Sequence, residues 1–427
     1  MDLGQLVLAC TAAIVAVLFF LILFEPGLRY EVSASEPVES PRFMDLLAAI
    51  INARIFAGSR VHVHSSGEAI YDAEIRAIDS ALSTVHLEAY LFLRGIAGER
   101  FLAALAAAAR RGVKVRVVVD AIGSFLTPDR YFDALRAAGG AVAWYQPIRW
   151  YTLKRFNNRT HRELLVVDGR VGFIGGAGIA DYWLPTHGRG RPWRDTTVEV
   201  TGDLVAGLQT AFIENWLEGS GEILTGVDEF PYAESSPPRE EKGRVSGLVV
   251  NSTPSAARGN RARMLFQLFL ASARRSIHIN SPYFVPDRSA RAELVRAAKR
   301  GVSVVVVTPN RLNNHPIARL ASRRRYGELL AAGVQIHEYQ PSMIHAKVLV
   351  VDGLWTVLGS TNFDNRSFGL NDEVNAALRD QALAARMEAD FAADLAKSRR
   401  ITLDEWTRRP LRERLLATLG MALERQE

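Results

Sequence analysis

One series of landmarks runs through this chain twice in the same order, and it restricts the fold more than any other feature. The second series holds Ile344-His345-Ala346-Lys347, the apolar run Val348 to Val351, Asp352-Gly353, then Gly359-Ser360-Thr361-Asn362. The first holds His161-Arg162-Glu163, the apolar run Leu164 to Val167, Asp168-Gly169, then Gly175-Gly176. Upstream, Arg111-Gly112-Val113 followed by Val115 to Val119 mirrors Arg300-Gly301-Val302 followed by Val304 to Val307. Tyr145-Gln146-Pro147 likewise mirrors Tyr339-Gln340-Pro341. So many ordered matches read as two homologous halves. Side chains two apart on an extended segment share a face, so His345 and Lys347 point into one pocket. An imidazole beside a fixed cation, with small hydroxyl and amide donors nearby, suits phosphoryl chemistry.

With 427 residues the chain can bury a large core or two domains. Leu6 to Phe24 is apolar except for Thr11 and long enough to cross a bilayer as a helix. No Lys or Arg precedes it and no small-residue cleavage site follows, so we expect an uncleaved anchor (residues 1–24). Arg29 and Arg42 follow the span and put the bulk of the chain on the cytoplasmic side. Residues 25–42 read as a tether. Helical Ala/Leu/Arg stretches then alternate with short Val/Ile/Leu strands, which is the pattern of layered α/β halves at 43–220 and 244–399. Residues 221–243, with Ser235-Ser236-Pro237-Pro238, read as the linker, and 400–427 as a helical tail.

The formal charge of +6, carried mostly by arginine, favours anionic partners such as lipid headgroups or nucleic acid. Cys10 is the only cysteine, so neither an intrachain disulfide nor a cysteine metal site can form. His62 and His64 read as strand surface rather than ligands.

The pattern His-x-Lys-x4-Asp followed by Gly-Ser-x-Asn, present twice with the first copy altered, resembles the phospholipase D superfamily. Val85-His86-Leu87-Glu88-Ala89-Tyr90, Pro192-Trp193-Arg194-Asp195, Ser281-Pro282-Tyr283-Phe284-Val285-Pro286-Asp287 and Leu370-Asn371-Asp372-Glu373 are similar to its bacterial cardiolipin synthase branch, of the B-like kind. The resemblance implies two α/β/α sandwich halves packed around a pseudo-twofold axis, with the N-terminal transmembrane helix in addition. It implies one active site in which one histidine attacks phosphorus and the other protonates the leaving alcohol, with no metal or organic cofactor. His161, His345 and Lys347 would be catalytic, with Asp195 and Glu373 orienting the imidazoles. Lys347, Ser360, Asn362 and Arg194 would hold the phosphate. Asp168 and Asp352 read as structural turn residues.

The first copy departs from the family twice: Glu163 stands for the lysine and Gly178 for the asparagine. A carboxylate there is expected to repel a phosphodiester unless Arg159, Arg189, Arg191 or Arg194 compensates. Arg162 should face away. A carboxylate raises a neighbouring imidazole's pKa and an ammonium lowers it, so His161 is expected to be the acid and His345 the nucleophile.

The leading expectation is a phosphatidyltransferase of the bacterial inner membrane that makes cardiolipin from phosphatidylglycerol and a second phospholipid, with phosphatidylethanolamine a candidate. Trp144-Tyr145 and Trp150-Tyr151 suit a lipid substrate. A hydrolytic phospholipase D is the near alternative. A nuclease is disfavoured because such chains often carry one motif and dimerise. A lipid-binding pseudoenzyme is the reading that Glu163 and Gly178 motivate.

Overall fold

The computed structural model describes residues 35–150, 157–185, 191–231, 245–254 and 260–410, with scattered positions on either side. The first half contributes β1 (Ile55–His64), β2 (Thr84–Ala89), β3 (Lys114–Asp120), β4 (Ala141–Tyr145), β5 (Arg159–Thr160), β6 (Leu164–Val167), β7 (Val171–Gly175) and β8 (Thr197–Thr201). The second contributes β9 (Val245–Ser252), β10 (Ser276–Asn280), β11 (Ser303–Pro309), β12 (Gln335–Tyr339), β13 (Val348–Val351), β14 (Trp355–Gly359), β15 (Asn371–Arg379) and β16 (Ser398–Ile401).

One sheet joins them in the order β16-β12-β11-β10-β13-β14-β15-β9-β1-β8-β7-β6-β2-β3-β4. Read outward from the central β9-β1 pair, the two halves are identical in order apart from the extra edge strand β16. That is a pseudo-twofold about an antiparallel seam. Ile55 pairs with Leu248 and Phe56 with Gly247, and the register then slips before Ser59 meets Val245.

Local chemistry explains the matched landmarks. β6 and β13 are wholly buried runs of branched residues, as expected for inner strands covered on both faces. Each ends in an Asp-Gly turn with both residues at positive φ: Asp168 and Gly169 at 51° and 59°, Asp352 and Gly353 at 54° and 61°. The two aspartates cap neighbouring backbone. Asp168 accepts from the N–H groups of Leu82, Ser83 and Thr84, and Asp352 from those of Arg274, Arg275 and Ser276.

Helices cover both sheet faces. Val205–Ser220 and Gln381–Leu395 lie on one side, over a core that runs through both halves from Phe212 and Trp216 to Met387 and Phe391. The opposite face carries two separate cores, one per half.

The expected boundaries shift in two places. Helix Pro41–Ile51, at the start of the expected first half, belongs to the second half's core. Phe43 lies 5.3 Å from Phe269 and 5.6 Å from Trp355 between ring centroids, and the Trp355 indole N–H donates to the Val38 carbonyl. Three apolar residues on one face (Phe43, Leu47, Ile51) have a partner surface there. The start of the expected linker folds back on the first half through Arg116–Glu222 and Lys114–Asp228 ion pairs, each at 3.1 Å.

Of the expected membrane span Leu6–Phe24, only positions 6, 9–13 and 17 are described, and they are helical. Among the described residues no helix is long and apolar enough to cross a membrane. The tail's Leu411, Leu415, Leu416 and Leu419 lie outside the described residues. Before them, β16 extends the sheet beside β12, and Trp406 donates to the Arg323 carbonyl at 2.6 Å.

Phe43→Ala removes a fully buried ring between helix Pro41–Ile51 and the second half. It should cost about 3–5 kcal/mol in urea unfolding. A loss below about 1 kcal/mol would mean the helix docks loosely.

Candidate active site

The two motifs meet by a reciprocal exchange of backbone across the seam. β5 runs parallel to the start of β15, pairing Thr160 with Asp372, and the His161 N–H donates to the Asp372 carbonyl at 2.9 Å. In the other direction Arg194 bridges Ile344, and the His345 N–H donates to the Arg194 carbonyl at 2.7 Å. Each histidine therefore sits in an extended link just before β6 or β13, not inside the strand, because its N–H is taken by the opposite half.

The accepting carbonyl in each case belongs to the residue immediately before a buried carboxylate. That carboxylate lands behind the imidazole of the other half. His345 Nδ1 meets Asp195 Oδ2 at 2.9 Å, and His161 Nδ1 meets Glu373 Oε1 at 3.2 Å. His161 Nδ1 also faces the Ser360 carbonyl at 3.0 Å. These oxygens only accept, so both Nδ1 atoms carry protons and the chemistry is left to Nε2. Both histidines line one cleft of about 530 Å³, with Tyr90, Arg159, Glu163, Tyr283, Asn362 and Arg366 among its walls.

The electrostatics of the pair are unequal. Lys347 Nζ lies 3.0 Å from His345 Nδ1 and 3.1 Å from Nε2, so it stands over the ring face rather than on either lone pair. Burial and then the Lys347 charge push His345 down to about 4, despite the opposing pull of Asp195. Its imidazole is neutral at neutral pH, as a nucleophile requires. Burial lowers Lys347 to about 8, partly offset by Asp195, Glu373 and Glu163. Burial alone would raise Asp195 and Glu373. Their histidine contacts win, with Lys347 aiding Asp195 and Ser360 aiding Glu373, and hold both carboxyls below the usual range.

Known proteins carry the same arrangement of sequence. The family model described as cardiolipin synthase, PLD-like domain, matches residues 75–182 and 268–395. The cardiolipin synthase of Geobacillus kaustophilus (strain HTA426) is 34% identical over 366 residues, covering 86% of this chain and 72% of that protein. The major cardiolipin synthase ClsA of Bacillus subtilis (strain 168) is 33% identical over 385 residues, covering 89% and 78%. The chain belongs to this family. Its fold is also that of the phosphatidylserine synthase of Haemophilus influenzae Rd KW20, with a TM-score of 0.71 at 16% identity over 90% of this chain and 100% of that one.

Within this family frame, several residues do other work than the sequence suggested. Arg194 was expected on the phosphate. Its guanidinium instead binds Asp394 at 3.1 Å and Thr196 Oγ1 at 2.8 Å, because its backbone is committed to the His345 segment and its side chain turns toward helix Gln381–Leu395. Ser360 was expected there too. Its hydroxyl is fully buried, donates to Glu373 and accepts from the Val374 N–H at 3.0 Å. Gly176, the matched position, has no room for a side chain: a Cβ would lie 2.7 Å from Asp195 Oδ1. Trp183 braces Asp195 instead, donating from Nε1 at 3.1 Å. Asn362 does line the cleft.

Glu163 is held by backbone amides. Its Oε1 accepts from the Tyr90 and Leu91 N–H groups at 3.2 and 3.3 Å, and desolvation in the cleft pushes the carboxyl well above the usual range. Gly178 lies beside it, where a Cβ would come 2.8 Å from Glu163 Oε1. Arg162 faces away, buried against Glu214 at 2.9 Å. Of the expected compensating arginines, Arg159 lines the cleft while donating to the Gln146 carbonyl, Arg191 is exposed, and Arg189 lies outside the described residues. Sequence reasoning missed Trp183, His315 and Arg366. Trp183 lies in the short 3-10 turn Asp181–Trp183, and the second half's loops, which carry no periodicity, bring His315 and Arg366 to the cleft wall.

The neutral imidazole and the ammonium coexist between about pH 4 and pH 8. kcat/KM should therefore fall as pH rises through about 8, when Lys347 loses its proton. In an active Lys347→Arg variant, whose guanidinium stays charged, that limb should move to higher pH. A limb that stays put would belong to another group.

Proposed function

We propose that the chain is a phosphatidyltransferase that forms cardiolipin from phosphatidylglycerol and a second phospholipid. The observation that carries this reading is the crossed pair of histidine–carboxylate contacts on one cleft, in a chain that belongs to the cardiolipin synthase family.

His345 Nε2 attacks the donor phosphorus, and a phosphatidyl-histidine forms as the P–O bond to the headgroup alcohol breaks. His161, held by Glu373, gives its Nε2 proton to the leaving oxygen. A phosphatidylglycerol hydroxyl then enters, returns a proton to His161 and attacks phosphorus, releasing His345. Lys347, buried over the His345 ring, keeps that imidazole neutral and supplies positive charge next to the attacking nitrogen. Asn362 contributes an amide at the cleft wall.

We also read Leu6–Phe24 as a single membrane anchor with the catalytic halves on the cytoplasmic side of a bacterial inner membrane. The flanking segments quoted above support reading the chain as one of the B-like branch.

Expression in a cardiolipin-free host with lipid mass spectrometry should show cardiolipin, lost with His345→Ala. Accumulation of phosphatidic acid alone would mean hydrolysis. His161→Ala should slow transfer by about 10²–10⁴-fold. The trapped phospho-adduct should map to His345, and an adduct on His161 would reverse the assignment.

A further inference from the structure

The two halves carry an amine and a carboxyl at one register position, and nothing in the transfer chemistry above uses the carboxyl. In the second half the position after His345-Ala346 is Lys347, with Asn362 as its matched neighbour. In the first half it is Glu163, with Gly178. The two departures are neighbours in space: a Cβ at 178 would come 2.8 Å from Glu163 Oε1 and 2.9 Å from Leu91 Cβ.

Glu163 lines the cleft together with Tyr90 and His161. Oε1 is occupied by the Tyr90 and Leu91 N–H groups, while Oε2 has no protein partner among the described residues. The Tyr90 ring lines the same cleft, 5.2 Å from the His161 ring in an edge contact. Asp364, the other acid on the cleft wall, accepts from the Ser367 N–H at 2.8 Å and lies in the field of Arg366.

We infer that Glu163 and Tyr90 form a subsite for the ammonium of an amine-bearing phospholipid headgroup, which makes that lipid the phosphatidyl donor. The inference rests on the phosphatidyltransferase reading and names the donor class it left open. A carboxylate and an aromatic ring together favour a compact cation. Glu163 sits beside His161, the group that protonates the departing headgroup oxygen, so the ammonium on that headgroup falls within its reach. Without a cation, desolvation favours the uncharged form of the carboxyl. An arriving ammonium draws the carboxyl into its charged form. In the step itself the P–O bond to the amino alcohol breaks as the His345–P bond forms. The His161 proton goes to the leaving oxygen, and the alcohol departs with its ammonium intact.

The test uses the full chain in mixed micelles holding equal phosphatidylethanolamine and phosphatidylglycerol, with released ethanolamine and glycerol counted by mass spectrometry. Wild type should release mostly ethanolamine. E163Q keeps an acceptor for the Tyr90 and Leu91 amides but cannot ionise, and should lower the ethanolamine-to-glycerol ratio at least tenfold. E163K should lower it further. An unchanged ratio in both variants, or equal losses of both products, overturns the inference while transfer itself stands. Wild type that releases neither alcohol overturns the phosphatidyltransferase reading and this inference with it.

Discussion

Two hydrogen bonds hold the catalytic arrangement together: His161 N–H to the Asp372 carbonyl, and His345 N–H to the Arg194 carbonyl. Each ties a motif to the backbone one residue before the other half's carboxylate. The imidazole–carboxylate contacts follow from that register, as does the tautomer that frees Nε2. Neither half contains a complete histidine pair of its own. The continuous sheet through β1 and β9, and the core shared beneath Phe212 and Phe391, keep the two halves at the spacing this exchange demands. Arg194 adds a side-chain tie to Asp394 on the same seam.

The duplication has kept its geometry while its charges have diverged. The turns, strand order and crossed carboxylates are shared. Lys347 and Glu163 are not, nor are Ser360 and Gly176. The consequence is division of labour: the ammonium over the His345 ring depresses that imidazole, while the carboxyl near His161 is parked on backbone amides with one oxygen left to the cleft. Behind the site, Arg162, Glu88 and Asp372 form a buried polar layer. Thr160 and Asn215 satisfy Glu88 Oε1, and Tyr145 donates to Asp372. Such a layer is costly unless its groups are paired, and it fixes β5 and the link after it that carries His161.

The halves, the strand-ending Asp-Gly turns and both histidines were legible because they rest on local patterns: apolar runs, a two-residue period and a repeated order. The orienting roles of Asp195 and Glu373 came from resemblance, and the crossing of each to the opposite half is a tertiary fact that spacing cannot carry. Arg194 and Ser360 misled for the same reason, since a side chain's direction depends on which strand claims its backbone. Helix Pro41–Ile51 shows the limit at the domain level. Its amphipathic face is plain in sequence, but the surface that receives it, Phe269 and Trp355, lies more than two hundred residues away.

The account stands on one phosphorus atom lying between His161 and His345. The most direct measurement is a crystal structure of the full chain soaked with orthovanadate as a mimic of the phosphoryl transition state. It should show vanadium bonded to His345 Nε2, with His161 Nε2 hydrogen-bonded to the apical oxygen opposite. Vanadate held by one histidine while the other ring points out of the cleft would contradict it.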